Sequence, residues 1–175
     1  MRKLRMSELN RLSANEYKEA EKHPFALVLD NVRSTLNVGS VFRSADAFRC
    51  EEIILVGVTP APTKEMNKTA LGATEAVAWL HFDTVEETTQ YLRKKNYELW
   101  ALEQVEGSEK LLEWSISKKS RVAFVLGNEV SGVSNQFLDH CTGCIEIPQY
   151  GTKHSLNVSV SSGIVMWEFI KQLKG

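Results

Sequence analysis

At 175 residues, 43% hydrophobic and 25% charged, the chain has the size and composition of one globular domain with a sizeable core, which excludes a disordered or low-complexity protein. Lys and Arg number 21 against 22 Asp and Glu, a formal net charge of −1, so no global attraction to a polyanion exists and any nucleic-acid site must be local. No stretch approaches the roughly 18 apolar residues of a membrane span, and the polar N-terminus lacks the apolar region of a signal peptide, so a cytoplasmic protein with no membrane association is expected.

In chain order, Ser13 and Glu16 form a capping-box pattern whose helix should stop near His23, before Pro24. The run FALVLD (25–30) has strand length, and LNVGSVFRSADAF after it carries Val38, Val41, Phe42, Ala45 and Phe48 at helical spacing. EEIILVG (51–57) and VAWLHF (77–82) read as strands, and Thr84 with Glu87 opens a second capped helix to about Lys95. YELWALEQ (97–104), RVAFVLG (121–127) and CIEIPQ (144–149) complete six strands, with SNQFLDH and a long segment from Ser155 as helices. Apolar strands alternating with helices predict an α/β domain, a mostly parallel six-stranded sheet with helices on both faces, spanning 1–175 with 1–24 as an N-terminal helical extension.

Basic residues cluster at Arg2, Lys3, Arg5 and Arg11, at Lys94 and Lys95, at Lys118, Lys119 and Arg121, and at Lys153 with His154; each cluster alone reads as solvated surface. Cys141 and Cys144 form a CTGC pair after His140, yet no second CxxC or HxxxH completes a tetrahedral zinc site, so ordinary thiols and no metal are expected.

In parallel sheets ligands bind beyond the carboxyl ends of strands, which directs attention to three loops. DNVRSTLNVGSVFRS holds Asn37 and Arg43, GNEVSGVS holds Glu129, and QYGTKHSLN leads into Ser155 and Asn157. Gly127 and Gly132 have the spacing of a phosphate-binding GxxxxG, but Val133 and Ser134 follow where a phosphate loop needs Lys and then Ser or Thr. GxGxxG and GxSxG are both missing, which argues against a nicotinamide-dependent oxidoreductase and a serine hydrolase. Ser155, Ser159 and Ser162 make a stripe of small residues on the last helix, with Ser155 expected at its N-terminus as a cap and the other two allowing close packing.

Taken together, DNVRSTLNVGSVFRSADAF, FVLGNEVSGVS and IEIPQYGTKHSLNVSVSSG resemble the three ordered motifs of the SpoU, or TrmH-like, RNA 2′-O-ribose methyltransferases of the SPOUT superfamily, over about residues 25–172. The resemblance implies a C-terminal deep trefoil knot, which sequence logic would replace with an open Rossmann-like sheet because threaded connections are so rare. It places Asn37, Arg43, Glu129, Ser155 and Asn157 in the active site. It sets S-adenosyl-L-methionine against Leu126, Gly127, Ile147, Ser155 and Leu156, with Leu102 as a further contact. Arg43 would stabilise negative charge on the ribose oxygen and grip a neighbouring phosphate, since a guanidinium keeps its proton far above neutral pH. Asn37 and Arg43 are six residues apart, about 240° around a helix, so Asn37 should lie in the loop or first turn. Glu129 would orient Asn37 or Arg43.

A homodimer with its site at the subunit interface is the family's usual form, and pooling of basic clusters would let a near-neutral chain bind RNA. The short flanks around the sheet favour tRNA, with the D-loop guanosine as the target. Ribosomal RNA is the alternative substrate. Methylation of a base nitrogen and a non-catalytic RNA-binding module with the same fold are the alternative functions.

Overall fold

The computed structural model describes residues 1–175, the side chain of Met6 apart. Its strands are β1 (His23–Asp30), β2 (Cys50–Val56), β3 (Ala78–Phe82), β4 (Tyr97–Leu102), β5 (Glu109–Lys110), β6 (Arg121–Leu126) and β7 (Gly143–Glu146). They form one sheet in the order β3-β2-β1-β6-β4-β7-β5, parallel at every pairing. Seven strands thus replace the expected six; β5 is a two-residue edge pairing with β7, too short and too charged to show as a run in the sequence. At the start of β1 the register with β2 shifts between His23 and Ala26, where Pro24 has no N–H to give the ladder.

The helices are α1 (Ala14–Glu19), α2 (Thr35–Ala47), α3 (Met66–Ala70), α4 (Ala73–Ala76), α5 (Val85–Lys94), α6 (Asn135–Leu138) and α7 (Val158–Lys174). Both predicted capping boxes are formed, by Ser13 with Glu16 and by Thr84 with Glu87. The sequence reading missed α3 and α4, single turns joined through left-handed Leu71 and Gly72 that show no apolar period of their own.

Two cores flank the sheet. Phe25, Leu27, Leu29 and Phe124 face α2 and α7, meeting Val41, Phe42, Met166 and Phe169. Their neighbours Ala26, Val28, Ala123 and Val125 face α5 and α6, meeting Leu92 and Phe137. The period of two along each strand supplies both faces, which is why these strands are apolar throughout. Phe169 packs against Phe25 and Phe124 with ring centroids 5.1 and 5.9 Å away. Burying a side chain of this size contributes about 1.5–3 kcal/mol.

A candidate methyl-donor pocket and its lip

The carboxyl ends of β4, β6 and β7 open on a common cavity of about 710 Å³. Its apolar walls are Leu102, Leu126, Ile145, Ile147 and Leu156, and its polar side is the loop from Gly127 to Val133. That loop folds tightly on itself: Asn128 and Gly132 exchange backbone hydrogen bonds of 3.0 and 2.9 Å. A Cβ on Gly127 would fall on the backbone of Gly132 and Val133. Gly132 has φ +70°, and its missing side chain leaves room for the carboxylate of Glu103.

Asn128 supplies the internal scaffold. Its Oδ1 accepts from the N–H of Val130 (2.9 Å) and Ser131 (3.1 Å), and its Nδ2 donates to the carbonyl of Asn31 at 2.7 Å. Next to it, Asp30 is 1% exposed and accepts from the Asn31 amide (2.7 Å) and the Ser134 N–H (2.8 Å). Nothing in the motif pattern marked Asp30 or Glu103; a carboxylate closing an apolar strand and another directly following one were the only available signals.

A hydrogen-bonded chain crosses the lip. Glu129 accepts from Asn37 Nδ2 (2.9 Å) and from the N–H of Arg33 and Ser34, both at 3.1 Å. Asn37 Oδ1 in turn accepts from Asn157 Nδ2 at 3.0 Å. Burial pushes the Glu129 carboxyl upward, but the donors from Asn37, Arg33 and Ser34 outweigh it and hold the group below its usual range. The ionised acceptor also fixes which way each amide points, because Glu129 can only accept. Asn37 sits in the first turn of α2, whose cap is Ser34.

The helix start of α7 corrects one expectation. Asn157, not Ser155, is the N-cap, accepting from the Ser159 N–H at 2.9 Å, and the helix begins at Val158. Ser155 is an exposed loop residue lining the cavity. An Asn at the cap ends the irregular 147–157 segment two residues later than a Ser155 cap would, which frees that loop to form a cavity wall. Ser162 is fully buried and bonds back to the Ser159 carbonyl at 2.8 Å, as the small stripe requires.

Within one chain, then, Leu102, Leu126, Gly127, Glu129, Ile147, Ser155, Leu156 and Asn157 share one cavity, and Asn37 is tied to its lip. Arg43 stands apart. It is exposed and lines a separate depression with Tyr17, Asp46 and Ala73, and none of the ion pairs among the described residues includes it. The cysteines are all free; burial pushes the Cys141 thiol up to about 12.

An all-parallel sheet with its cavity walled by the loops after β6 and β7 is an α/β ligand-binding architecture, and it matches that of the SPOUT methyltransferases. Residues 24–167 match the sequence model of the SpoU rRNA Methylase family, and the chain belongs to that family. It is 33% identical over 150 residues to the 23S rRNA (guanosine-2′-O-)-methyltransferase RlmB of Escherichia coli, covering 85% of this chain and 60% of that one. To RlmB of Haemophilus influenzae it is 31% identical over 170 residues, covering 96% and 68%. The AdoMet-bound rRNA methyltransferase of Sinorhizobium meliloti superposes with a TM-score of 0.79 at 27% identity, covering 90% of this chain and 60% of that one. The A. aeolicus TrmH/SpoU tRNA modifying enzyme shares the fold with a TM-score of 0.81 at 22% identity, covering 92% and 82%.

The cavity suits S-adenosylmethionine. Its volume of about 710 Å³ falls in the range of roughly 300–1,000 Å³ for small-molecule sites. The apolar walls match a purine, and the missing side chain at Gly127 lets the 127–133 loop close on itself as the polar wall.

Proposed function

We propose that this chain methylates a ribose 2′-hydroxyl of ribosomal RNA, at guanosine, with S-adenosylmethionine as donor. The observation that carries the reading is the Asn157–Asn37–Glu129 chain of hydrogen bonds, which joins the three motif loops at the lip of the glycine-walled cavity. Relatives named for 23S rRNA guanosine support an rRNA substrate in place of the tRNA expected from the short flanks. A cytoplasmic location follows from such a substrate. We read residues 1–175 as one domain, and the return of the chain from β7 to lay α7 on α2 as the knot expected of the family.

When bound, the cofactor supplies an electrophilic methyl group. The protein holds the hydroxyl in line and stabilises the negative charge that grows on its oxygen. Glu129 positions Asn37, and Asn37 and Asn157 each keep one amide hydrogen free of the bonds described above, available to a ribose or phosphate oxygen. Arg43 is the charge stabiliser. Its distance from the lip within one chain supports a site completed by a second copy. Leu36 of α2 and Val160 and Trp167 of α7 are 66%, 50% and 62% exposed on these two packed helices. Trp167 meets Phe48 edge-on at 6.4 Å. We infer that a homodimer seats on this face, because large apolar side chains grouped on packed helices mark association surfaces.

The test is methylation of ribosomal RNA and of tRNA by the purified protein with labelled cofactor, followed by nucleoside analysis. Label in 2′-O-methylguanosine of rRNA, lowered by about 10²–10³ in Arg43→Ala, is expected. Label confined to tRNA would return the substrate to the first expectation. Label in neither, with cofactor bound, would favour the binding module. Trp167→Glu should sediment as a monomer; an unchanged dimer would move the interface elsewhere.

A further inference from the structure

We propose that Glu103 makes the cavity selective by charge, favouring the cationic sulfonium cofactor over its neutral demethylated product; the inference rests on the methyl-donor reading of the cavity. Glu103 follows β4 directly, and its backbone is held by an N–H bond to the Ile145 carbonyl at 3.1 Å. Both carboxylate oxygens are fixed by the protein alone. One accepts from the Gln104 N–H at 2.8 Å, and the other from the Val133 N–H at 2.9 Å.

Backbone donors orient a carboxylate without cancelling its charge, and none of the ion pairs among the described residues includes Glu103. The cavity lining as a whole carries Glu103, Glu129 and Glu146 against His154, with no Lys or Arg. Of the three carboxylates, Glu129 is committed to Arg33, Ser34 and Asn37 at the lip, and Glu146 accepts from the Ser108 hydroxyl at 3.3 Å. Glu103 is the one built into the glycine loop: Gly132 lacks the side chain that would occupy its carboxylate's place. Its field reaches a neighbouring group, since the Cys144 thiol is pushed upward by burial first and by Glu103 second.

The reaction changes the charge that such a site feels. Methyl transfer to a hydroxyl breaks the S–CH₃ bond with its electron pair returning to sulfur, forms the O–CH₃ bond and releases the hydroxyl proton. The sulfonium becomes a neutral thioether. A fixed carboxylate among low-dielectric walls attracts the first and not the second, so it speeds exchange of product for fresh donor. Across a cavity of this size the attraction corresponds to about tenfold in the ratio of affinities.

Calorimetric titration of wild type and Glu103→Gln with S-adenosylmethionine and with S-adenosylhomocysteine tests this. Wild type should bind the sulfonium form about tenfold more tightly, and the variant should bring the two affinities close to equal. An unchanged ratio in a folded variant overturns the proposal. Should the variant not fold, wild type decides alone: a donor analogue with an ammonium in place of the sulfonium should outbind the thioether, and equal affinities overturn the charge argument. Failure of wild type to bind either compound would sink the methyl-donor reading itself, a result distinct from a flat ratio.

Discussion

The two ends of the sheet use carboxylates in opposite ways. At the amino ends of the strands, Glu51 takes both contacts of Arg121 at 2.7 and 2.8 Å, and Glu52 takes Lys95 at 3.0 and 3.2 Å together with the Tyr91 hydroxyl at 2.6 Å. At the carboxyl ends, Asp30, Glu103 and Glu129 accept only from backbone N–H groups and side-chain amides. Cation pairing neutralises the first end and seals it. The second end keeps its negative charge, oriented before any ligand arrives. A parallel sheet tolerates this division because its loops at one end are free to be built for binding, while the other end has only to close.

The largest losses are expected from changes at Arg43 and at the loop glycines. Arg43→Lys should lower turnover by about 10²–10³ with cofactor affinity kept, because a point charge does not replace the bidentate fork. Equal turnover would show that Arg43 lies outside the chemistry altogether. Gly127→Ala should cost about 3 kcal/mol or more, since the added Cβ must displace the backbone of Gly132 and Val133. Thermal unfolding and calorimetry together read this out, and cofactor binding that survives intact would remove the loop as a pocket wall.

A smaller effect is expected at the sealed end. Arg121→Met leaves the Glu51 carboxylate, 26% exposed, without its cation. With partial solvent screening the expected loss is about 1–2 kcal/mol, a shift of a few degrees in Tm. Cofactor affinity per folded molecule should not change; a parallel fall in affinity would show that the two ends are coupled.

Asn157 separates cap from chain. Asn157→Ala should cost about 1 kcal/mol by loss of the cap on α7. Asn157→Asp keeps an acceptor for the Ser159 N–H but cannot donate to Asn37, so it should restore stability and leave turnover low. Full recovery of turnover in the Asp variant would reduce Asn157 to a plain cap.

The smallest expected effect is a titration. Glu129 is held below its usual range when folded, so its contribution is present above the unfolded pKa and is lost as pH falls through the lower folded value. The Asn37 side-chain amide, followed by NMR, should therefore keep its bonded shift at pH values near about 4, where a free glutamate is already half protonated. Release of the amide at or above that value would show Glu129 to be an ordinary surface carboxylate.

The capping boxes at Ser13 and Thr84 and the apolar strands 25–30, 51–57 and 121–127 were legible because local rules set them: a side chain satisfying its own helix end, and runs long enough to be buried on both faces. The motif loops were legible as a set, and all six residues expected around the cofactor do line one cavity. The two-residue strand β5, the α3–α4 turns and the true start of α7 were not, since each depends on which neighbour supplies a hydrogen-bond partner. Asp30 and Glu103 were invisible for the same reason. A carboxylate's role is set by who donates to it, and beside their adjacent donors Asn31 and Gln104 each has one that lies far along the chain, Ser134 at 104 residues and Val133 at 30. Sequence by itself determined the parallel α/β frame and the family, because periodicity and ordered motifs are local. The tertiary structure alone decided that Asn37, Glu129 and Asn157 form one hydrogen-bonded chain and that Arg43 stands outside it, because only folding fixes distances between segments.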